Sequence, residues 1–421
     1  MFNLRKHLAD GRLVVAAAIA IYWVAYFTGT HKYNFNIMTL YHLPIMVPSF
    51  ADLRVITAAY DSANLNYDPT VSNICDPWKR PFNYPQIWMV FSLLGITQKH
   101  TNMIGIALAF IFYLCLVCLV IPRTNLKTSI IYILAALSPA VILGVERGNT
   151  DLIIFVILAL ALLGLRKNQL LTNVVSYLLI LLSSILKIYP IFALNALLKE
   201  KGKSYLIVLG ICVLIFLGYC VLTYDDLLMI NKNTEKTIYW SYGNMIIFSY
   251  WAALAANLSS IDISLLNILT RAASLILSLV TIILAINSYN KLKQDEKYFT
   301  CNYINGFRIG CSIYIGTFLL GYNFYYRLIF LLFCIPQLIE WSKLKSIISL
   351  SHVTLLLIVI SMWSTVWVNF ENPLPVSIIE GVNWVIFFSL TSLLLLTSPE
   401  WLRKILDSKT QLLKLHKTEL L

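Results

Sequence analysis

The feature that most constrains this chain is a succession of Leu- and Ile-rich apolar runs of roughly 15 to 24 residues. Such a run is what a helix needs to cross about 30 Å of hydrocarbon. The period-two alternation of a membrane β-barrel is absent. The expected fold class is therefore all-α, a polytopic membrane protein. Composition agrees: 59% of residues are hydrophobic and 12% charged, against about 25% charged in a soluble domain.

The net charge of +12 would suit a nucleic acid, but the basic residues fall in short clusters between apolar runs and build no continuous basic surface. No nucleic-acid partner is expected; membrane lipid is. Arg5, Lys6 and Arg12 precede an apolar run from Leu13 to Thr28, which reads as an uncleaved signal anchor with its start in the cytoplasm. Spans follow over Asn102–Ile121, Thr128–Val145 and Leu152–Leu165, then a hairpin with its turn at Lys187, then Ser204–Thr223, Leu265–Ile286, Gly306–Leu320, Leu328–Ile339, Ile347–Trp367 and Ile379–Thr397. Met245–Leu258 is read as non-crossing, since a crossing there would carry Lys291, Lys293, Lys297 and Arg308 outside. The sum is about 12 transmembrane helices with both termini cytoplasmic. Residues 1–398 form one multi-pass domain, in which 31–101 is a first extracytoplasmic loop with a re-entrant piece at Gln86–Ile96. Residues 399–421 form a cytoplasmic, basic amphipathic tail.

The longest polar interruption, Pro44–Tyr84, gathers Asp52, Arg54, Asp61, Asp68, Asp76, Lys79 and Arg80. Within it Leu53, Ile56, Thr57 and Tyr60 recur at helical spacing, so a short amphipathic helix is expected on the membrane surface. The topology sends further polar clusters to the same outer face, and ionisable groups at membrane depth point to function. Asp52 is a candidate site residue, open between helix capping and catalysis. The candidate substrate-binding residues are Arg54, Asp76, Arg80, Asn83, Glu146, Arg147, Asn149, Asp151, Lys187, Tyr189, Asn323 and Arg327.

Each cluster also has a structural reading. Ser49-x-x-Asp52 is a capping-box pattern, and Asn149 suits a helix cap with Asp151 at the positive end of the dipole. Asp76-Pro77 and Asn83-Tyr84-Pro85 are turn formers. Lys187 can snorkel to headgroups, and Arg327 can anchor at the interface. Chemically, aspartates beside membrane-level cations suit transfer of a sugar from a lipid phosphate. A carboxylate takes the acceptor proton while Lys or Arg neutralises the departing phosphate. The eight cysteines lie mostly inside apolar runs and the six histidines form no cluster. HExxH, Walker A, GxGxxG and GxSxG patterns are absent.

The set FADLR (50–54), DPW-x-RPFNYP (76–85), ERGN-x-D (146–151), LKIYP (186–190) and NF-x-YRLIF (323–330) resembles the polyprenyl-phosphate-dependent, mannosyltransferase-like branch of the GT-C superfamily. The resemblance extends from about Asp52 to Gln337. It implies an inverting glycosyltransferase that takes a polyprenyl-phosphate sugar donor and a glycan or glycolipid acceptor. It implies a bacterial inner membrane, a site facing outside, and a catalytic aspartate in the first outer loop, which maps onto Asp52. The D-x-D pattern of some relatives is absent, so a mechanism without a metal or other cofactor is expected. Two further classes stay open. A transporter or flippase predicts midplane charges and internal symmetry, which the chain does not display. A polymerase or ligase using lipid diphosphate-linked oligosaccharides shares the outer site and the lipid substrate.

Overall fold

The computed structural model describes residues 10–32, 37–199, 202–258, 263–292, 302–343, 349–367, 373–399 and 401–404. Most of the expected tail and the basic residues Arg5 and Lys6 lie outside the described residues.

Helix α1 (Gly11–Lys32) is apolar on all sides, as a helix facing lipid and neighbours must be. A 3₁₀ turn (Ile37–Tyr41) leads to α2 (Ala51–Asn64), which lies where a surface amphipathic helix was expected but is enclosed by the protein, with Leu53, Arg54, Ile56, Thr57, Ala58 and Tyr60 all buried. Gln86–Leu94 is a 3₁₀ helix ended by Gly95. Helix α3 (Thr101–Cys115) runs on into a π-helical turn, Leu116–Val120. Helices α4 (Leu126–Ala136) and α5 (Pro139–Arg147) meet at 49°. The break has a local cause: Pro139 lacks the N–H that would continue α4, and the Ser138 hydroxyl accepts the Val141 N–H to start α5.

Helices α6 (Asp151–Lys167) and α7 (Leu170–Leu186) form a hairpin, followed by a 3₁₀ stretch, Tyr189–Lys199. Then come α8 (Gly202–Leu222), α9 (Tyr224–Asn233), strand β1 (Ser241–Tyr242), α10 (Ile246–Leu258), α11 (Ile263–Leu292), α12 (Ile304–Leu319) and strand β2 (Asn323–Phe324). A 3₁₀ stretch (Tyr325–Phe333), α13 (Ile335–Lys343), α14 (Leu350–Met362), a short turn (Ser364–Val366) and α15 (Pro373–Leu396) complete the described chain. The all-α expectation therefore holds except for one antiparallel ladder, in which Ser241 pairs with Phe324 and Tyr242 with Asn323.

The span count departs from expectation. Against about 12 expected from apolar length, five described helices are long and apolar enough to cross a membrane, or six if α4 and α5 count as one broken span. Of the other apolar runs, α6 and α7 (17 residues each) and α12 (16 residues) are single helices short of that length, and two more are divided. The stretch after Lys187 is 3₁₀ rather than α, so its 11 residues reach about 22 Å at 2.0 Å per residue. The run 325–339 is split between 3₁₀ and α13.

The core sits where α5, α6, α7, α12 and the 3₁₀ stretch 325–333 pack together, with Phe112, Phe155, Phe330 and Phe333 interlocked inside. Because α6 and α7 are antiparallel, the C-terminus of α5, the N-terminus of α6 and the C-terminus of α7 all arrive at one end of the bundle. The first loop closes over that end.

Candidate active site

The site is built from helix ends and from the start of α2. Phe50 precedes α2 in the left-handed region (φ 61°) and provides no side-chain cap, so Ser49 and Asp52 form no capping box here. Two glycines make room for the Phe50 side chain. A Cβ on Gly105 would lie 2.5 Å from its ring, and one on Gly148 3.1 Å from its Cβ. Gly148 itself ends α5 with φ 57°, the position where glycine avoids strain. The Phe50 N–H donates to the Glu146 carbonyl (3.0 Å), which fastens the start of α2 to the end of α5.

Asp52 then faces the helix ends. Its Oδ2 accepts from Asn149 Nδ2 at 2.6 Å, and its Oδ1 lies 3.7 Å from Arg80 Nη1. Arg80 also forks onto Asp76 (Nη2–Oδ1 2.9 Å, Nε–Oδ2 3.1 Å), donates to the Ala51 carbonyl and lies 4.6 Å over the Trp78 ring. Asp76 is held in turn by the backbone N–H groups of Trp78 and Arg80.

On the other side of Asn149 lies the cation group. Asn149 Oδ1 accepts from Lys187 Nζ (3.1 Å) and from the N–H of Asp151 (2.9 Å), the first residue of α6, so Asn149 ties that helix end to the cluster. Lys187 donates to Thr150 Oγ1 (3.1 Å) and pairs with Asp151. Arg327 Nε lies 3.5 Å from Asp151 Oδ2, its guanidinium is 4.4 Å over Tyr189, and it donates to Asn323 Oδ1. Burial penalises the Asp151 charge, but Lys187 and Arg327 outweigh that penalty and hold its pKa below the ordinary carboxylate range. Tyr84, Tyr189 and Tyr326 surround the Lys187 ammonium at 5.8, 6.0 and 6.0 Å. Burial raises the Tyr84 phenol well above its usual pKa, so it stays neutral.

One network thus runs Asp76–Arg80–Asp52–Asn149–Lys187–Asp151–Arg327–Asn323, with Tyr189 packed on it. Other candidates stand apart. Arg54 turns away, donating to the Ser49 carbonyl (2.8 Å) and to Asn102 Oδ1 (2.7 Å). Glu146 accepts from the Met46 N–H (3.2 Å) and pairs with Arg147 (3.2 Å), while Arg147 donates to the Pro44 carbonyl at 2.5 Å. This pair buckles the loop ahead of α2. Asn83 is half-buried beside Tyr84. Sequence reasoning left out Trp78, Tyr84, Tyr326 and Asn102; three of these lie within or beside the quoted motifs, and the signal was aromatic residues interleaved with the charges.

The loop is fixed to the bundle as well. Trp88 Nε1 donates to the Leu186 carbonyl (3.0 Å), the residue before Lys187, and the Trp88 carbonyl accepts from Tyr60 of α2. Asn233 of α9 bonds the carbonyls of Thr70 (2.8 Å) and Phe82 (3.2 Å), so the α9 segment rests on the first loop. Among the described residues no three His, Cys, Asp or Glu side chains are grouped as a metal site requires.

Exposure separates the three acids of the network. Asp52 keeps 18% of its side-chain surface, against 0% for Asp76 and 1% for Asp151, while Arg80, Lys187 and Arg327 keep 29%, 16% and 16%. One carboxylate and three cations are therefore reachable, and two carboxylates serve as buried counter-charges.

Fold and site together define a multi-pass membrane protein with an ionised cluster at one end of its helix bundle. A family model for glycosyltransferase family 87 matches residues 82–301, more than half of the chain. The chain belongs to this GT-C-like family and is a membrane glycosyltransferase. The match includes Asn83, Glu146 to Asp151, Lys187 and Tyr189; Asp52, Asp76, Arg80, Asn323 and Arg327 fall outside it. No curated protein and no solved structure matches the chain.

Proposed function

We propose that this glycosyltransferase moves a sugar from a polyprenyl-phosphate donor to an extracytoplasmic glycan or glycolipid, with inversion and with Asp52 as general base. The observation that carries the reading is the accessible carboxylate of Asp52 set across Asn149 from Lys187 and Arg327. A base must meet its acceptor hydroxyl, so exposure favours Asp52 over the enclosed Asp76 and Asp151. Lys187 and Arg327 receive the departing phosphate, and Arg80, supported on Trp78, faces the same opening. A phosphate already leaves readily, so the chemistry asks for no general acid.

In this reading the donor enters from the bilayer, the site faces the outside of a bacterial inner membrane, and both termini are cytoplasmic. Asp76 and Asp151 hold the cations, Asn149 orients the base, and Tyr189 and Asn323 steady Arg327. Arg54, Glu146 and Arg147 act through the loop, and Asn83 lines the approach beside Tyr84.

The test is release of free polyprenyl phosphate by purified wild-type and Asp52→Asn protein, across a panel of polyprenyl-phosphate sugars with membrane glycan as acceptor. Release by the wild type alone is the expected result. Equal release by both removes Asp52 from the chemistry. With diphosphate-linked oligosaccharides run beside that panel, turnover of these alone replaces the monophosphate donor with the polymerase or ligase alternative.

A further inference from the structure

A second buried acid lies outside the site. Glu380, on α15, is 0% exposed. Its Oε1 accepts from Asn383 Nδ2 (2.7 Å), and Asn383 Oδ1 accepts from Ser361 (2.6 Å), tying α15 to α14. Its Oε2 accepts from the backbone N–H of Gly243 at 3.3 Å. Gly243 directly follows β1, whose partner β2 begins with Asn323, the acceptor for Arg327. The Tyr325 N–H donates to the Trp240 carbonyl (2.9 Å) and extends the register to the residue beside Tyr326 and Arg327. At Gly243 (φ 147°) a Cβ would lie 1.8 Å from the Gly321 carbonyl oxygen, so the residues flanking the two strands meet backbone to backbone.

A carboxyl within an apolar helix is costly and persists where it has partners and a task. Here the partner that lies off the helix bundle is the ribbon that carries the Arg327 acceptor. We infer that Glu380 is a positioning residue: it fastens the β1–β2 ribbon to α15 and so holds Arg327 against Asp151 and Tyr189. The inference rests on the reading of Arg327 as a phosphate-binding group, and it makes α15, far outside the family match, part of the site's support.

The test uses the full purified chain in detergent. Hydrogen exchange of peptides covering 240–244 and 322–327 should accelerate roughly tenfold in Glu380→Leu, the effect of losing one buried hydrogen bond. Exchange in α2 should be unchanged, and Glu380→Gln, which keeps an acceptor for Gly243, should stay close to wild type. Binding of polyprenyl phosphate should weaken about tenfold in Glu380→Leu and in Arg327→Ala, with the double variant no weaker than Arg327→Ala alone. Should Glu380→Leu fail to fold, Asn383→Ala removes the amide on Oε1 and should raise ribbon exchange about threefold. Unchanged ribbon exchange, or two affinity losses that multiply in the double variant, overturns the inference. The exchange measurement needs no donor. A ribbon that loosens in a protein that binds no polyprenyl phosphate therefore sinks the donor reading and leaves Glu380 in its role.

Discussion

The two ends of the helix bundle handle charge differently. At the end under the first loop, cations meet carboxylates from distant parts of the chain: Asp52 meets Arg80, and Asp151 meets Lys187 and Arg327. At the opposite end Arg166, Arg308 and Arg12 bond helix-end groups or a neighbouring acid. Arg166 donates to the Leu119 carbonyl (2.6 Å), Arg308 bonds Thr397, and Arg12 pairs with Asp10 two residues away. The second pattern closes helix ends, which any helix bundle must do. The first gathers charge where helix-end closure does not require it, and that difference separates a site from a terminus.

The comparison can be broken at several points. Asp52→Asn should lower turnover by about 100- to 10,000-fold and leave the melting temperature unchanged, measured by transfer kinetics beside thermal unfolding. Lys187→Met should do the reverse in emphasis. It leaves Asp151 buried with Arg327 at 3.5 Å as its remaining cation, and should lower stability by about 3 kcal/mol, read from unfolding in detergent. Gly105→Ala should drive Phe50 from its place and shift α2, lowering stability by about 1–3 kcal/mol and transfer with it; a second substitution, Phe50→Ala, should restore part of the stability. At the opposite end, Arg12→Ala should cost no more than about 1 kcal/mol with transfer rates unchanged. A large loss of activity from Arg12→Ala would erase the distinction between the ends.

Much of this arrangement was legible in the residues. The helices follow the apolar runs, and Asp76, Arg80, Asn149, Asp151, Lys187, Asn323 and Arg327 join one network although their motifs are far apart in sequence. Arg54 was misplaced for a reason the sequence already held. Residues two apart on a helix point to nearly opposite sides, so once Asp52 faces the cluster Arg54 faces away, toward Asn102. Glu146 and Arg147 were read as a charged motif, but they sit on the last turn of a short buried helix and grip the loop beside it. The span count was not legible because apolar length reveals neither where 3₁₀ winding or a Ser-Pro break divides a run nor that α6, α7 and α12 stop at 17, 17 and 16 residues. The β1–β2 ladder is two residues long on each side, too short for any alternation to announce it.

Asn149 has a consequence of its own. An acid and an amine this close would ordinarily collapse into a direct pair, each cancelling the other. The amide stands between them with its nitrogen toward Asp52 and its oxygen toward Lys187, so it satisfies both while carrying no charge. It works as an uncharged bridge between two charges: the Asp52 carboxylate meets an amide instead of the ammonium, and Lys187 keeps its pairing with Asp151.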